Sequence, residues 1–247
     1  MRIVLFCGKD LGSDIVFTHL KDHHNLVGVV SELPPSKKRL LKNRIKRLGV
    51  GVVIFQLVFM KIAVPLVNFF SRKRLGEIRK MFSIESIETF DDHLFVPSIN
   101  DPKVREFVSQ VKPDAIVVNG TRIIGKKLLN AVDSPMVNIH VGITPKYRGV
   151  HGGYWALVND DPDHCGVTTH LIDAGIDTGG VICQRIINPT KNDSFVTYPL
   201  LQLKEGLVCL DEALLAIKNN NLVLLDTSKS ESKLYYHPTI WQYLYYR

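Results

Sequence analysis

Short apolar runs alternate with helical stretches along most of the chain, and this alternation constrains the fold more than any other feature of the sequence. Runs rich in β-branched residues predict strands, and the stretches between them predict helices. We predict strands at Ile3–Cys7, Leu26–Ser31, Asp114–Asn119, Met136–Val141, Gly166–Ile172 and Gly180–Ile187, and helices near Ser13–Lys21, Lys126–Ala131 and Ser194–Lys218. The pattern is typical of an α/β, Rossmann-like fold with a mostly parallel sheet and helices on both faces.

The chain is long enough for one large domain, because its 247 residues are 45% hydrophobic. No repeat or low-complexity linker divides it. We predict a catalytic domain over residues 1–220 with a helical insertion at about 36–82, followed by an aromatic-rich tail over 221–247. The four cysteines lack CxxC or paired spacing, which argues against a zinc site and a disulfide framework. With no signal-peptide pattern at the N-terminus, we expect a cytoplasmic protein.

The net charge of +7 is concentrated in the insertion. Residues 36–80 hold thirteen Lys and Arg residues against a single acid, Glu77, which makes +12 and leaves −5 for the rest of the chain. The catalytic body therefore has the charge balance of an ordinary soluble enzyme, and we expect no nucleic-acid partner.

Residues 48–70 form an apolar run of 23 positions in which Lys61 is the only charge, and a run of this length suffices to cross a bilayer. A simple span is excluded because the strands before and after it are predicted to share one sheet. Lys61 and Pro65 also disfavour a spanning helix. We predict a broken helical hairpin lying on a surface. Peripheral contact of residues 36–80 with an anionic inner membrane leaflet and packing on the domain itself or on a second subunit are equally open.

Asn138 and His140 carry the chemistry that the sequence suggests. They stand two residues apart on a predicted strand, so their side chains share a face. Pro145 lies just beyond the strand's carboxyl end, where ligands bind in open α/β sheets. An amide can stabilise an oxyanion, an imidazole can manage a proton, and Asp177, in a Gly-rich loop, can orient the imidazole. Each residue alone has a purely structural explanation; the combination favours acyl transfer without a metal.

These residues resemble the motif set of the folate-dependent formyltransferases, a family that includes glycinamide ribonucleotide transformylase, methionyl-tRNA formyltransferase and the sugar N-formyltransferases. The set comprises Asn138-x-His140, Pro145, Tyr147-x-Gly149 and Asp177-x-Gly179, together with His170-Leu-Ile and Gln184. It covers about residues 1–35 and 85–220. The resemblance implies the formyltransferase fold and catalytic roles for Asn138, His140 and Asp177. Gly142-Ile143-Thr144 departs from the family's common Ser-Leu-Leu, and this departure concerns the acceptor pocket.

The resemblance also implies 10-formyltetrahydrofolate as the formyl donor. In the family the pterin ring lies between two loops and is bound largely through backbone groups. The residues that correspond to these loops are Gly120, Thr121, Arg122, Ile123 and Ile124 in the first and Asp173, Ala174, Gly175 and Ile176 in the second.

The family offers several amine acceptors. The methionyl-tRNA enzyme normally carries a C-terminal RNA-binding domain, whereas only residues 219–247 follow the last predicted helix here. The glycinamide ribonucleotide enzyme has a short Gly-Asn-Gly-Ser loop where this chain has residues 8–13, GKDLGS. We therefore expect a nucleotide-linked amino sugar destined for surface polysaccharide, such as the O-antigen of lipopolysaccharide. The residues that we expect to contact it are Lys9, Tyr147, Arg148 and His151.

Other functions stay open at this point. A glycinamide ribonucleotide-type or other small-amine formyltransferase is one, a membrane-associated, non-catalytic binding protein is another, and a folate hydrolase is a third. The tail holds five of the eight tyrosines. Their rings can stack on a nucleobase, although packing or homodimer formation is the favoured interpretation.

Overall fold

A seven-stranded sheet organises the computed structural model, which describes residues 1–245; Tyr246 and Arg247 of the predicted tail lie outside the described residues. The strand order is β3-β2-β1-β4-β5-β7-β8. The strands are β1 (Arg2–Cys7), β2 (Asn25–Glu32), β3 (His93–Val96), β4 (Ala115–Asn119), β5 (Met136–His140), β7 (Gly166–Leu171) and β8 (Val181–Ile186). The first five run parallel, and β7 and β8 pair antiparallel. The predicted mostly parallel sheet is confirmed.

Helices cover both faces of this sheet, as predicted. They are α1 (Leu11–His23), α6 (Pro102–Val111), α7 (Lys126–Leu129), α8 (Gly152–Val158) and α9 (Tyr198–Lys218). Side chains alternate along β1, so Ile3 and Leu5 pack with α1 and α9 on one face. Val4 and Phe6 pack with α6 and α7 on the other. Because both faces are buried, β1 is an unbroken apolar run.

The insertion connects β2 to β3. It consists of α2 (Lys37–Leu48), an apolar helix over Val50–Phe70, and α5 (Arg72–Arg79). The apolar helix comprises α3 (Val50–Val58), a π-helical segment (Phe59–Ala63) and α4 (Val64–Phe70). Among residues 1–245 it is the one helix whose length and composition would suffice to cross a membrane.

The predicted broken hairpin is wrong, because the apolar helix continues through Pro65. That proline lies in the first turn of α4, directly after the π-helical segment. The Val64 N–H donates to the Phe59 carbonyl, five residues back, which is the hydrogen bond of a π-helix. The helix is wider at this turn, and it continues although Pro65 has no N–H to donate. A helix can therefore accommodate a proline that its sequence predicts to be a break.

One face of the apolar helix packs on the protein's own domain. The Phe59 ring makes edge contacts with Phe195 and lies against Tyr243, each at 5.0 Å between ring centroids. Gln56 Nε2 donates to the His237 carbonyl at 2.6 Å. This face therefore joins an aromatic cluster of the domain. For this face, packing on the domain itself is the correct one of the interpretations that the sequence left open.

The tail also packs on the domain. Its strand β9 (Leu234–Tyr235) pairs in parallel with β6 (Arg148–Gly149), and α10 (Ile240–Tyr245) follows. The Tyr235 ring stacks on Tyr147 at 5.3 Å and on Trp155 at 5.2 Å. Tyr235 and Tyr243 are therefore used in internal packing, which was the favoured interpretation of the tail's rings.

Candidate active site

Three predicted catalytic side chains lie together at β5. Asn138 and His140 stand on the same face of that strand, and Asp177 reaches them from the loop between β7 and β8. Asp177 Oδ2 is 3.5 Å from His140 Nδ1. Its second oxygen, Oδ1, is 3.8 Å from His170 Nε2. The structure thus brings an amide, an imidazole and a carboxylate into one cluster.

Asp177 is held by the short strand β6. The Gly149 N–H donates to Asp177 Oδ2 at 2.9 Å, and Arg148 donates to the Ile176 carbonyl at 3.0 Å. Asp177 has a φ of 51°, in the left-handed region that is costly for most side chains but tolerated by Asp. The backbone conformation and the two hydrogen bonds together aim the carboxylate at His140.

The ring of His140 has an acceptor on each side. Nε2 donates to the Tyr147 carbonyl at 3.1 Å, and Nδ1 faces Asp177. The side chain is buried, so these contacts hold the ring in one orientation. A protonated ring satisfies both oxygens, whereas a neutral ring leaves Nδ1 able to accept a proton.

His170 orients Asn138, and sequence analysis did not assign it a role in the site. The antiparallel pairing of β5 and β7 places these two residues opposite each other. His170 Nδ1 donates to the Leu171 carbonyl at 2.7 Å, and burial lowers the pKa of the ring, so Nε2 is an acceptor at neutral pH. Asn138 Nδ2 donates to it at 3.1 Å. An amide nitrogen carries two hydrogens, so one remains for a ligand.

A cavity of about 180 Å³ opens beside these groups. Both loops that were predicted to bind the folate line it. The lining residues from these loops are Thr121, Arg122, Ile123, Ile124, Asp173, Gly175 and Ile176. Asn138, His170 and Asp177 line it as well. Apolar side chains beside a few fixed polar groups are typical of a site for a flat heteroaromatic ring.

The guanidinium group of Arg122 is not available to a ligand in this cavity, because other protein groups already bind it. Its guanidinium pairs with Glu32 at 3.1 Å and donates to the carbonyls of Pro97 and Leu33, each at 2.7 Å. Its backbone N–H also donates to Glu32. Arg122 therefore ties the first loop to the end of β2 and positions its neighbours.

Two of the predicted acceptor contacts are corrected by the structure. Tyr147 is buried, and its hydroxyl donates to Asp161 at 2.7 Å, so it serves the site through its carbonyl. His151 Nε2 lies 2.9 Å from His237 Nδ1, and its ring packs on Phe195 at 4.5 Å. Both side chains belong to the aromatic cluster. Arg148 holds the loop that carries Asp177, through its hydrogen bond to the Ile176 carbonyl.

Lys9 lines a second cavity, of about 370 Å³, at the carboxyl ends of β1, β2 and β3. Its ammonium group pairs with Glu88 and lies 5.8 Å from the centre of the Phe95 ring. Phe95 is half exposed at the wall of this cavity. The sequence contains no signal for Phe95, because strand β3 has four residues and is too short to show a period.

A different polar cluster lies at the opposite end of the sheet. Within the described chain, His19, His24 and Asp211 place possible metal-ligand atoms within 4.8 Å of one another. Both imidazoles contact the same oxygen, Asp211 Oδ1, at 2.7 and 2.8 Å. These contacts hold the end of α1 against α9.

Comparison with known sequences points to one family. The profile described as "Formyl transferase" matches residues 61–200. The methionyl-tRNA formyltransferase of Caldanaerobacter subterraneus subsp. tengcongensis is 30% identical over 125 residues, which are 50% of this chain and 40% of that protein. The corresponding protein of Desulfotalea psychrophila is 31% identical over 121 residues, which are 47% of this chain and 37% of that protein. The chain thus spans about two fifths of the length of these curated relatives.

Solved structures share the fold over nearly the whole chain. The N-formyltransferase of Helicobacter canadensis, in complex with folinic acid and dTDP-3-aminofucose, has a TM-score of 0.60 at 19% identity and covers 95% of this chain and 71% of that one. Glycinamide ribonucleotide transformylase 1 of Symbiobacterium toebii has a TM-score of 0.59 at 18% identity and covers 92% and 91%. The predicted fold is confirmed.

Proposed function

The chain belongs to the formyl transferase family, and from this premise we propose that it transfers the formyl group of 10-formyltetrahydrofolate to a primary amine. The observation that carries the proposal is the cluster of Asn138, His140 and Asp177 beside a cavity that both predicted folate loops line. Acyl transfer to an amine needs an oxyanion donor, a proton acceptor and a bound acyl donor next to them.

The geometry suggests a role for each group. The second N–H of Asn138 stabilises the negative charge that develops on the formyl oxygen during amine attack. The nitrogens of the His140 ring face the Tyr147 carbonyl and Asp177, so the ring contributes through its positive charge when it holds a second proton. Asp177 keeps the ring oriented and accepts the proton that the amine loses, directly or through a water molecule. It then returns this proton to the donor nitrogen of the folate as the bond between that nitrogen and the formyl carbon breaks. In comparable sites one oxyanion donor accelerates the reaction by about 10²–10³-fold.

The folate supplies an activated formyl group when it is bound. We propose that its pterin ring occupies the 180 Å³ cavity, between the loops at residues 120–124 and 173–176. Backbone groups of these loops then contact the polar ring edge, and Ile123, Ile124 and Ile176 contact its flat faces. Such contacts bind the donor while leaving Asn138 and Asp177 for the chemistry.

For the acceptor we propose a nucleotide-linked amino sugar used for surface polysaccharide. The Helicobacter canadensis structure, which shares the fold over 95% of this chain, was solved with dTDP-3-aminofucose. The second cavity, at the carboxyl ends of three strands, is lined by Lys9, whose ammonium group is paired with Glu88, and by the exposed ring of Phe95. A phosphate and a nucleobase suit these two groups. Work at the inner face of the membrane would place the product near glycan assembly.

The curated relatives favour a second candidate acceptor, methionyl-tRNA, because they are methionyl-tRNA formyltransferases. A single assay separates the two. Purified protein is incubated with 10-formyltetrahydrofolate and, in parallel, with a panel of amino-sugar nucleotides, glycinamide ribonucleotide and methionyl-tRNA. We expect a mass gain of about 28 Da on one amino-sugar nucleotide.

Formylation of methionyl-tRNA or of glycinamide ribonucleotide alone would replace the sugar proposal and keep formyl transfer. Formate release without any amine would identify a hydrolase. Absence of folate binding and of turnover with every acceptor would overturn formyl transfer itself.

A further inference from the structure

The outward face of the apolar helix is uncovered. Whereas Gln56 and Phe59 pack on the domain, the opposite side exposes a row of large apolar side chains. These residues, which we call the apolar face, are Val50, Ile54, Ile62, Leu66, Phe69 and Phe70. The surface continues onto α10, because Phe55 contacts the exposed Trp241 at 5.9 Å. Contiguous apolar patches of this kind mark interaction sites on soluble proteins.

Basic residues border this face on both sides. The insertion has thirteen Lys and Arg residues, most of them on α2 and α5. Among residues 1–245, Arg74 is the only one of the thirteen that pairs with a carboxylate, contacting Asp193 and Glu77. Helix α2 has no buried residue and no acid. Apart from Arg74, the cations of the insertion therefore have no carboxylate partner within residues 1–245, and all of these except Arg44 are exposed.

We propose that the apolar face and its basic borders dock the protein onto an anionic lipid bilayer, with the apolar helix lying parallel to the membrane plane. An amphipathic surface that combines buried aliphatic and aromatic side chains with flanking Lys and Arg binds at the boundary of headgroups and acyl chains. Trp241 is exposed at the edge of the patch. Tryptophan is enriched at the membrane–water interface of membrane proteins.

The fold excludes a transmembrane orientation of the same helix. Strand β2 enters the insertion, β3 leaves it, and the two are hydrogen-bonded neighbours in one sheet. Both ends of the insertion consequently lie on the same side of any membrane. The inner face of the helix is also occupied, by Phe195 and Tyr243.

Charge distinguishes a bilayer from the other possible occupants. A second copy that docked by the same face would bring two segments of +12 together, and like charges repel. A nucleic acid would satisfy the cations but would leave the aliphatic side chains in water. An anionic bilayer complements both the charge and the apolar surface. The inference is independent of the proposed activity, because lipid binding needs neither folate nor acceptor.

The test is flotation of the full chain with vesicles. We use vesicles of phosphatidylcholine alone and of phosphatidylcholine with about 30% phosphatidylglycerol. We expect at least about tenfold tighter binding to the anionic vesicles, weakened by added salt because the attraction is partly electrostatic. No flotation with anionic vesicles would overturn the proposal.

A matched pair of substitutions isolates the apolar face. Ile62 and Leu215 are both helical and both 57% exposed, but Leu215 lies on α9, outside the patch. Ile62→Asp and Leu215→Asp add the same charge. We expect Ile62→Asp to weaken vesicle binding at least about tenfold and Leu215→Asp to change it little. Equal effects of the two substitutions would contradict docking through this face.

A second pair isolates the basic border. One variant neutralises three cations of α2 by Lys37→Gln, Lys38→Gln and Arg39→Gln. A control variant neutralises three exposed lysines outside the patch and so removes the same charge. That control carries Lys103→Gln, Lys126→Gln and Lys127→Gln. We expect the α2 variant to bind anionic vesicles about tenfold or more weakly than the control. Equal loss in both would indicate a non-specific charge effect and overturn the role of α2.

Tryptophan fluorescence gives an independent readout. The chain has two tryptophans, Trp155, which is 7% exposed, and Trp241, which is 61% exposed. We expect anionic vesicles to shift the emission to shorter wavelength, and Trp241→Phe to abolish the shift while flotation persists.

Two other outcomes would overturn lipid docking. If the protein self-associates without lipid and Ile62→Asp abolishes this association, the apolar face belongs to a second copy of the chain. If RNA competes with vesicles and binds more tightly than they do, the face belongs to RNA.

Discussion

The end of β5 and the insertion contrast in how their side chains are partnered. At the end of β5 the polar groups of His140, His170 and Asp177 contact one another or backbone groups. In the insertion a narrow face of the apolar helix is packed, at Val53, Gln56, Phe59 and Ala63, and most of its other residues are exposed. Within residues 1–245, Arg74 is the basic side chain of the insertion with carboxylate partners. The polar groups of the first region thus have partners within the chain, whereas the second region has an uncovered surface.

The contrast shows that a site and a docking surface make opposite demands on a sequence. A site needs fixed polar groups, so each is oriented by a neighbour and only selected hydrogens remain free. A docking surface needs area and charge, so its side chains stay available to a partner. Substitutions should therefore affect chemistry in the first region and either stability or association in the second.

The largest expected effect belongs to the site. Asp177→Asn removes the carboxylate that faces His140 and should lower kcat by at least about 10³-fold, because proton transfer and ring orientation are lost together. Thermal unfolding should be nearly unchanged. Steady-state formylation and a thermal melt measure the two. Asp133→Asn, an exposed carboxylate elsewhere, is the control; equal activity of both variants would remove Asp177 from the mechanism.

A matched pair of substitutions on the apolar helix tests whether its packed face and its exposed face differ in their contribution to stability. Phe59 is 1% exposed and Phe70 is 80% exposed. Phe59→Ala should lower the free energy of unfolding by about 3–5 kcal/mol, because it leaves a cavity in the aromatic cluster. Phe70→Ala should change it by less than about 0.5 kcal/mol. Urea unfolding without lipid measures both, and similar values would mean that the helix does not pack as the structure shows.

The contact between insertion, tail and domain should depend on pH. Burial lowers the pKa of His151 to about 3 and that of His237 to about 4. Both histidines are therefore buried as neutral rings, whereas in the unfolded chain their pKa is about 6.5. Their contribution to stability is present above this pH and is lost as the pH falls below it, because the unfolded state takes up protons first. We expect the free energy of unfolding to fall by roughly 2–4 kcal/mol between pH 7 and pH 5.

His237→Gln should flatten this pH dependence by removing one of the two histidines that resist protonation. His23→Gln, at an exposed histidine, should leave it as steep as in the unmodified protein. Urea unfolding at each pH measures both variants. A slope that His237→Gln leaves unchanged would show that the pair does not control the acid sensitivity.

The smallest expected effect concerns the second cavity. Lys9→Ala should raise KM for a phosphorylated acceptor by about tenfold and change kcat little, because Lys9 lies apart from the reacting groups and contributes to binding alone. The KM of the formyl donor should be unaffected. A fall in kcat with unchanged KM would move Lys9 from acceptor binding to the chemistry.

Sequence alone was sufficient for most of the sheet and for the catalytic candidates. Long apolar runs such as those at β1, β4 and β5 announce buried strands, and the Asn138-x-His140 spacing places two side chains on one face. Strand β3 was missed because four residues are too few to show a period. Helix α6 was missed although its signals were present, an N-cap at Asp101 and a proline at Pro102.

Tertiary structure decided the contacts that depend on residues far apart in the chain. His170 orients Asn138 through a pairing of β5 with β7, and Pro65 is accommodated by a π-helical turn. The apolar helix is hydrophobic on all sides, so its sequence does not indicate which face is buried. Strand positions and residue chemistry are local properties that the sequence determines. Burial and orientation depend on neighbours that only folding brings together, and so the covered and uncovered faces were decided by the fold.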